Sequence, residues 1–175
     1  ITEQGVLDLL INIDTKKGPG PDNISNIFLK SYAERVAKYL CVFFNKSLQL
    51  CTIPAVWKTA TIIPIRKAGS KTMVSNYRPI SLTCSVRKLL EHMILKHITI
   101  YLEKNILSPV QHGFQKGFST VTQLLELLHD AAQYINNHKQ IDLIFLDFSK
   151  TFDCVSPTKL ISKLEVILGD SNIVC

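Results

Sequence analysis

The segment that most constrains the fold is the apolar run Leu143-Ile144-Phe145-Leu146, which ends at Asp147. Because successive side chains of a β-strand point to opposite faces, an uninterrupted apolar run is typical of a central strand that is covered on both sides. We therefore predict a strand over 141–148, with Asp147 where that strand reaches solvent. An acidic residue at such a point is a common functional position, although a carboxylate that caps the following turn would stand there as well.

The rest of the chain reads mainly as helix, because apolar residues recur at steps of three and four. This periodicity predicts a helix over 2–13, one or two helices between 24 and 50, and further helices over 86–102, from 119 or 120 to 136, and from 156 to 168. Lys16–Asp22 contains two glycines and two prolines, which interrupt regular structure, and Asp22 is predicted to cap the helix that follows. The β-branched residues of Thr59–Ile65 predict an edge strand, followed by a basic loop over 66–78. The expected class is α+β, rich in helix with few strands.

Basic residues are concentrated in the middle of the chain. Residues 51–120 hold ten Lys and Arg against two Glu, a formal charge of +8, whereas the whole chain carries +6. A basic middle followed by an acidic end suits a polyanionic partner beside a cation-binding carboxylate, although a merely solvated basic surface would have the same charge. No apolar stretch approaches the roughly 20 residues that cross a bilayer, so we expect no membrane partner.

The string Phe145-Leu146-Asp147-Phe148-Ser149-Lys150-Thr151-Phe152-Asp153-Cys154-Val155 decides among the roles open to Asp147. It resembles the first catalytic motif of the reverse transcriptases of non-LTR retrotransposons, the LINE and jockey-like kind, in which an apolar strand runs into D-F-S-K-A-F-D-x-V. Four further blocks resemble the same family in the same order. They are Gly18–Ile24 (G-P-D-G-I), Trp57-Lys58 with Ile62–Ile65 (a fingers strand), Asn76–Thr83 (N-Y-R-P-I-S-L) and Gln111–Thr120 (Q-H-G-F-R-x-G-R-S-T).

The resemblance implies the fingers and the beginning of the palm of a right-hand polymerase, in incomplete form. It assigns residues 1–140 to the fingers with an N-terminal extension and residues 141–175 to the start of a truncated palm. The family completes its site with an aromatic-Ala-Asp-Asp box, and no Asp-Asp dipeptide occurs in these 175 residues. We therefore expect the fragment by itself to be inactive.

The resemblance also implies roles for residues of the first catalytic motif. Asp147 would bind two Mg²⁺ ions (or Mn²⁺), helped by the backbone carbonyl of Phe148. Phe152 would be the steric gate against a ribose 2′-OH, although an ordinary core aromatic is the alternative. Thr151 would lie beside the nucleotide, where the family usually has Ala.

Two further groups of residues acquire roles in the same way. Lys67 and Arg78 match the fingers positions that grip the triphosphate, where Lys67 could equally be a solvated loop charge. Gln111, Gly113, Phe114 and Ser119 would lie by the template strand. Within that box Gln115 and Phe118 replace residues that are more often basic, which removes two potential contacts.

The implied function is that of an RNA-directed DNA polymerase fragment whose partners are an RNA template, a DNA primer and dNTPs. No small-molecule cofactor is expected besides the metal ions, and the family implies an intracellular location, in nucleus or cytoplasm. The alternative is a non-catalytic remnant that binds nucleic acid through the basic segment 51–120.

Overall fold

A computed structural model of the chain describes residues 1–148, 151 and 154–169. Six α-helices, two strands and two short 3₁₀ helices, Ala55–Lys58 and Val74–Asn76, lie in these ranges. The helices are α1 Glu3–Ile11, α2 Asn26–Ser31, α3 Ala33–Gln49, α4 Ser85–Asn105, α5 Thr120–Asn136 and α6 Pro157–Leu168, and the strands are β1 Thr61–Arg66 and β2 Tyr77–Leu82. The described part of the chain is therefore rich in helix with few strands, as predicted, and its two strands form one small sheet.

Polar side chains set where the first helices begin. Thr2 accepts a hydrogen bond from the backbone N–H of Gly5 and so caps α1. Ser25 caps α2 by accepting from the N–H of Phe28. The prediction that Asp22 caps this helix was wrong, because Asp22 instead accepts from the N–H of Ile24 and stabilises a turn before the helix starts. A side chain can satisfy free N–H groups only from the residue that flanks the first turn.

Contacts divide the described residues into two units, and the first comprises residues 1–98 and 164–169. Its core forms where α1 packs against α3, and the rings of Phe44 and Trp57 meet there at 6.2 Å between centroids. The N-terminal part of α4 contributes Val86, Leu89 and Leu90 to the same cluster. Residues at three- and four-residue spacing thus lie on one buried helix face, as periodicity requires.

The strands β1 and β2 form an antiparallel hairpin, in which Ile65 pairs with Arg78 and Pro64 with Pro79. The edge strand over 59–65 is confirmed, but the basic loop predicted for 66–78 was too long, because β2 begins at Tyr77. Pro79 concealed β2, since proline cannot donate to a ladder. The N–H of Lys67 donates to the carbonyl of Asn76 at 2.7 Å. Hydrogen-bonded and non-hydrogen-bonded pairs alternate along an antiparallel ladder. Counted from the bond between Lys67 and Asn76, Pro64–Pro79 is a non-hydrogen-bonded pair, so the ladder needs no N–H group from either proline.

The second unit, residues 99–163, contains a turn that leads into α5. Gly117 in this turn has φ +87°, a left-handed conformation that glycine adopts at little cost. Ser119 then caps α5: its hydroxyl accepts from the N–H of Thr122, and the hydroxyl of Thr122 accepts from the N–H of Ser119. This reciprocal capping box explains why the helix begins at the predicted position.

The strand predicted over 141–148 is not present. These residues have no regular secondary structure, and the apolar side chains of 143–146 and of Phe148 are exposed, with Leu146 83% accessible. A strand exists only when a neighbour accepts and donates its backbone hydrogen bonds. In the described part of the chain, β1 and β2 pair with each other, and no described strand pairs with 141–148.

None of the helices in the described ranges combines the length and the apolar character that crossing a bilayer would require.

Candidate functional site

The hairpin carries both residues that were predicted to grip the triphosphate, Lys67 and Arg78. The backbone N–H of Lys67 donates to the carbonyl of Asn76, and Ile65 pairs with Arg78 two positions further along the ladder. Directly opposed residues of an antiparallel pair share a face, and residues two apart on one strand share it too. The register therefore places Lys67 and Arg78 on the same face, as diagonal neighbours, and both residues are exposed.

Another basic residue of the segment has a structural role. Arg87 donates from Nε to Glu91 Oε1 at 2.6 Å and from Nη1 to the carbonyl of Trp57. These bonds fix its guanidinium against the start of α4. The charge of the basic segment is thus not uniformly available to a ligand.

The Gly-Pro loop lies against the end of the N-Y-R-P-I-S-L box. Gly20 packs on the backbone of Thr83 and Cys84, and Cys84 is fully buried. Burial raises the pKa of the Cys84 thiol, and the nearby carboxylate of Asp22 adds to the increase. This contact joins two of the motif blocks, which are about 60 residues apart in the sequence, within the first unit.

The predicted template-contacting residues lie in the turn before α5. Gln111 donates from Nε2 to the carbonyl of Gly113 at 3.3 Å, and Ser119 is the helix cap. Phe114 has φ +64° and is 95% exposed, so a large aromatic ring is presented to solvent from a strained backbone position. The turn and the start of α5 line a groove of about 540 Å³.

Sequence reasoning gave no role to His112, which is buried among these residues. Its Nδ1 lies 2.8 Å from Thr122 Oγ1, and its Nε2 lies 3.0 Å from Glu126 Oε2. The sequence indicated only that a histidine lies within the motif block. Its two partners belong to the following helix, and their spacing from His112 matches no recognisable motif.

The predicted catalytic segment is exposed and has no regular secondary structure. Asp147 is exposed, and the carbonyl of Phe148 accepts a hydrogen bond from Thr151 Oγ1 at 2.8 Å. Phe152 lies outside the described residues. The turn and Asp147 both belong to the second unit, whereas Lys67 and Arg78 belong to the first.

The oxygen atoms of this segment are of the type that Mg²⁺ prefers, which binds carboxylate and carbonyl oxygens. They fit as part of a metal site. Among the described residues, no three His, Cys, Asp or Glu side chains come together in a group that could hold a metal ion. Asp147 would therefore need further ligands from other carboxylates or water.

Comparisons with known proteins agree with the motif blocks. The family model for "Reverse transcriptase (RNA-dependent DNA polymerase)" matches residues 65–173. The chain is 34% identical over 94% of its length to a probable RNA-directed DNA polymerase from transposon BS, and 31% identical over 89% to the RNA-directed DNA polymerase from mobile element jockey, both of Drosophila melanogaster. The Drosophila funebris jockey polymerase is 31% identical over 97% of the chain.

The chain spans 17–19% of the length of these three relatives. The family match nevertheless covers more than half of the chain, and the relatives match it almost from end to end. The chain therefore belongs to the reverse transcriptase family, among the polymerases of non-LTR retrotransposons.

Proposed function

We propose that this chain is the nucleotide- and template-holding part of an RNA-directed DNA polymerase that works by two-metal nucleotidyl transfer. The observation that carries the proposal is the register of the β1–β2 hairpin, which puts Lys67 and Arg78 on one exposed face. RNA template, DNA primer and dNTPs are the corresponding ligands of the whole polymerase.

The hairpin face suits a triphosphate. Diagonal neighbours on one face of a sheet lie about 7–8 Å apart, so two such cations can contact different phosphates of one nucleotide. The guanidinium of Arg78 can hold two phosphate oxygens at once, while the ammonium of Lys67 supplies a point charge. Neither side chain has to leave a buried position to do this, since both are exposed.

We assign the metal-binding role to the carboxylate of Asp147 and to the carbonyl of Phe148. Two divalent ions about 4 Å apart would hold the attacking and leaving oxygens of the transfer in line. The hydroxyl of Thr151 donates to the Phe148 carbonyl, whose second lone pair can face a ligand. Phe152 would stand against the sugar and exclude a 2′-OH.

The turn before α5 would hold the template. An exposed aromatic ring such as Phe114 can stack on an unpaired base of any sequence. Gln111, Gly113 and Ser119 keep the chain that carries this ring in a compact turn against the helix start.

We further propose that residues 1–140 form the fingers with an N-terminal extension, and that 141–175 begin the palm. The exposed apolar run 143–146 supports this division. Exposed apolar side chains in such a run are buried only when neighbouring strands and helices cover them. Palm strands supplied by the rest of the polymerase would turn this segment into the central strand that its sequence predicts.

A chimera tests the proposal, in which this chain replaces the matching segment of the jockey polymerase. We expect it to extend a DNA primer on an RNA template with Mg²⁺. Asp147→Asn should reduce extension by about a thousandfold or more, because a metal ligand contributes several kcal/mol to the transition state. The matched control is Asp142→Asn, another exposed carboxylate five residues earlier, which should retain most activity.

The results of these assays distinguish the metal-binding role of Asp147 from the non-catalytic alternative. Retention of most activity by Asp147→Asn would contradict the metal-binding role. A chimera that binds primer and template yet never extends the primer would favour the non-catalytic remnant that uses the basic segment 51–120.

A further inference from the structure

His112 is an unusual residue to find buried. Of the described residues between 99 and 163, it alone is buried, while Leu124, Leu125 and Leu128 of α5 are exposed. Its side chain is 3% accessible. A polar side chain loses its hydration when it is buried, so it is retained there only with hydrogen-bond partners.

We propose that His112 is a positioning residue, which fixes the template-contacting turn Gln111–Ser119 on α5 through Thr122 and Glu126. This inference deepens the proposed function of the turn and rests on it for the nature of the ligand. His112 itself, being buried, would not touch the template.

The two hydrogen bonds of His112 reach the helix one turn apart. Nδ1 lies 2.8 Å from the hydroxyl of Thr122, and Nε2 lies 3.0 Å from the carboxylate of Glu126. Residues four apart lie on the same face of a helix, so one imidazole can engage both. The start of the turn is thereby tied to the first and second turns of α5.

The end of the turn is tied to the same ring. Phe118 packs edge-on against the imidazole, with 4.5 Å between centroids. Ser119 follows it directly, and its N–H donates to Thr122 Oγ1 at 2.8 Å. His112 and Thr122 thus hold both ends of the segment from which Phe114 projects.

The hydrogen-bond donors and acceptors around His112 show how Glu126 holds the ring. The hydroxyl of Thr122 donates to the carbonyl of Ser119 and accepts from its N–H. The same hydroxyl lies 2.8 Å from His112 Nδ1, so it joins the ring to the start of the helix. A carboxylate can only accept, so Nε2–H donates to Glu126.

Substitution of Glu126 tests the contact without changing the buried His112, because the Glu126 side chain is itself 55% exposed. Glu126→Ala removes the acceptor, whereas Glu126→Gln keeps an oxygen acceptor without the charge. Asp130→Ala is the matched control, an exposed carboxylate on the same helix. All three variants raise the net charge by the same amount, so only the hydrogen bond to His112 distinguishes them.

The first measurement needs no nucleic acid. Amide hydrogen exchange of Phe118 and Ser119 in the unmodified chain should be slow, and Glu126→Ala should speed it by about tenfold, which corresponds to a loss near 1.4 kcal/mol. Glu126→Gln and Asp130→Ala should leave it near the starting value. Equal exchange in Glu126→Ala and Asp130→Ala would overturn the positioning role.

The second measurement is the affinity for a fluorescein-labelled RNA strand of about 20 nucleotides, followed by anisotropy. Glu126→Ala should weaken binding by about fivefold because the turn is no longer preorganised, with the salt dependence unchanged. Asp130→Ala and Glu126→Gln should equal or exceed the unmodified chain, since each removes a negative charge. Electrostatics alone predicts stronger binding for all three, so the direction for Glu126→Ala decides.

Failure of the His112 inference and failure of the proposed function give different results. Faster exchange with unweakened RNA binding in Glu126→Ala would overturn the inference that His112 positions a template-contacting turn. An unmodified chain that binds no RNA at low salt would contradict the proposed function, whereas the exchange result would still report on the contact between His112 and Glu126.

Discussion

Gly20 and Cys84 approach so closely that a Cβ on Gly20 would lie 2.5 Å from the backbone nitrogen of Cys84. Cys84 follows β2 by two residues, so this contact holds the end of the hairpin against the Gly-Pro loop. The position of the exposed Lys67 and Arg78 face therefore depends on a glycine that lies far from it in the sequence.

Gly20→Ala should destabilise the chain, because backbone atoms must move to admit the methyl group. Overpacking of this kind costs about 1–3 kcal/mol of unfolding free energy. The matched control is Gly18→Ala, where an added Cβ would meet nothing within 4 Å. Urea unfolding curves measure both, and equal midpoints for the two variants would contradict the close approach.

The Cys84 thiol should contribute pH-dependent stability. Its pKa is raised mainly by burial, with a smaller increase from the carboxylate of Asp22, so the folded state holds the proton more tightly than the unfolded state. The stabilisation is fully present below the ordinary thiol pKa and is lost as pH rises through the raised folded value. The difference in unfolding free energy between the unmodified chain and Cys84→Ala should therefore shrink at alkaline pH. A difference that stays constant across that range would contradict the assignment.

Local signals predicted the helices well. α5 begins where Ser119 and Thr122 form a capping box, and its apolar period continues to Asn136. α6 begins at Pro157, a residue favoured in a first helical turn. Such signals depend on neighbours in the sequence, so they can be read without knowing the fold.

Features that depend on distant partners were missed. β2 was hidden by Pro79, whose compatibility with a strand follows only from its pairing with Pro64. The segment 141–148 has the composition of a central strand, but composition cannot provide the neighbour that a strand requires. His112 was overlooked for the same reason, since its partner Glu126 lies 14 residues further along the chain.

The 175-residue chain alone should not synthesise DNA. The 175 residues contain no Asp-Asp dipeptide that could complete the metal site proposed at Asp147, and a single carboxylate cannot hold two metal ions against water. The measurement is primer extension on an RNA template with dNTPs and Mg²⁺. Incorporation above a no-enzyme control would show that the described residues hold a functional site after all.

The salt dependence of RNA binding tests the central claim most directly, namely that the face bearing Lys67 and Arg78 contacts phosphate. Each phosphate neutralised releases counterions, so log affinity falls linearly with log salt, by roughly 0.7–0.9 per contact. Replacing both residues by Ala should flatten the slope by about one to two units. Lys16→Ala with Lys17→Ala removes the same charge from the Gly-Pro loop and should change the slope less. An unchanged slope in the Lys67 and Arg78 variant, or equal flattening in both, would contradict the account.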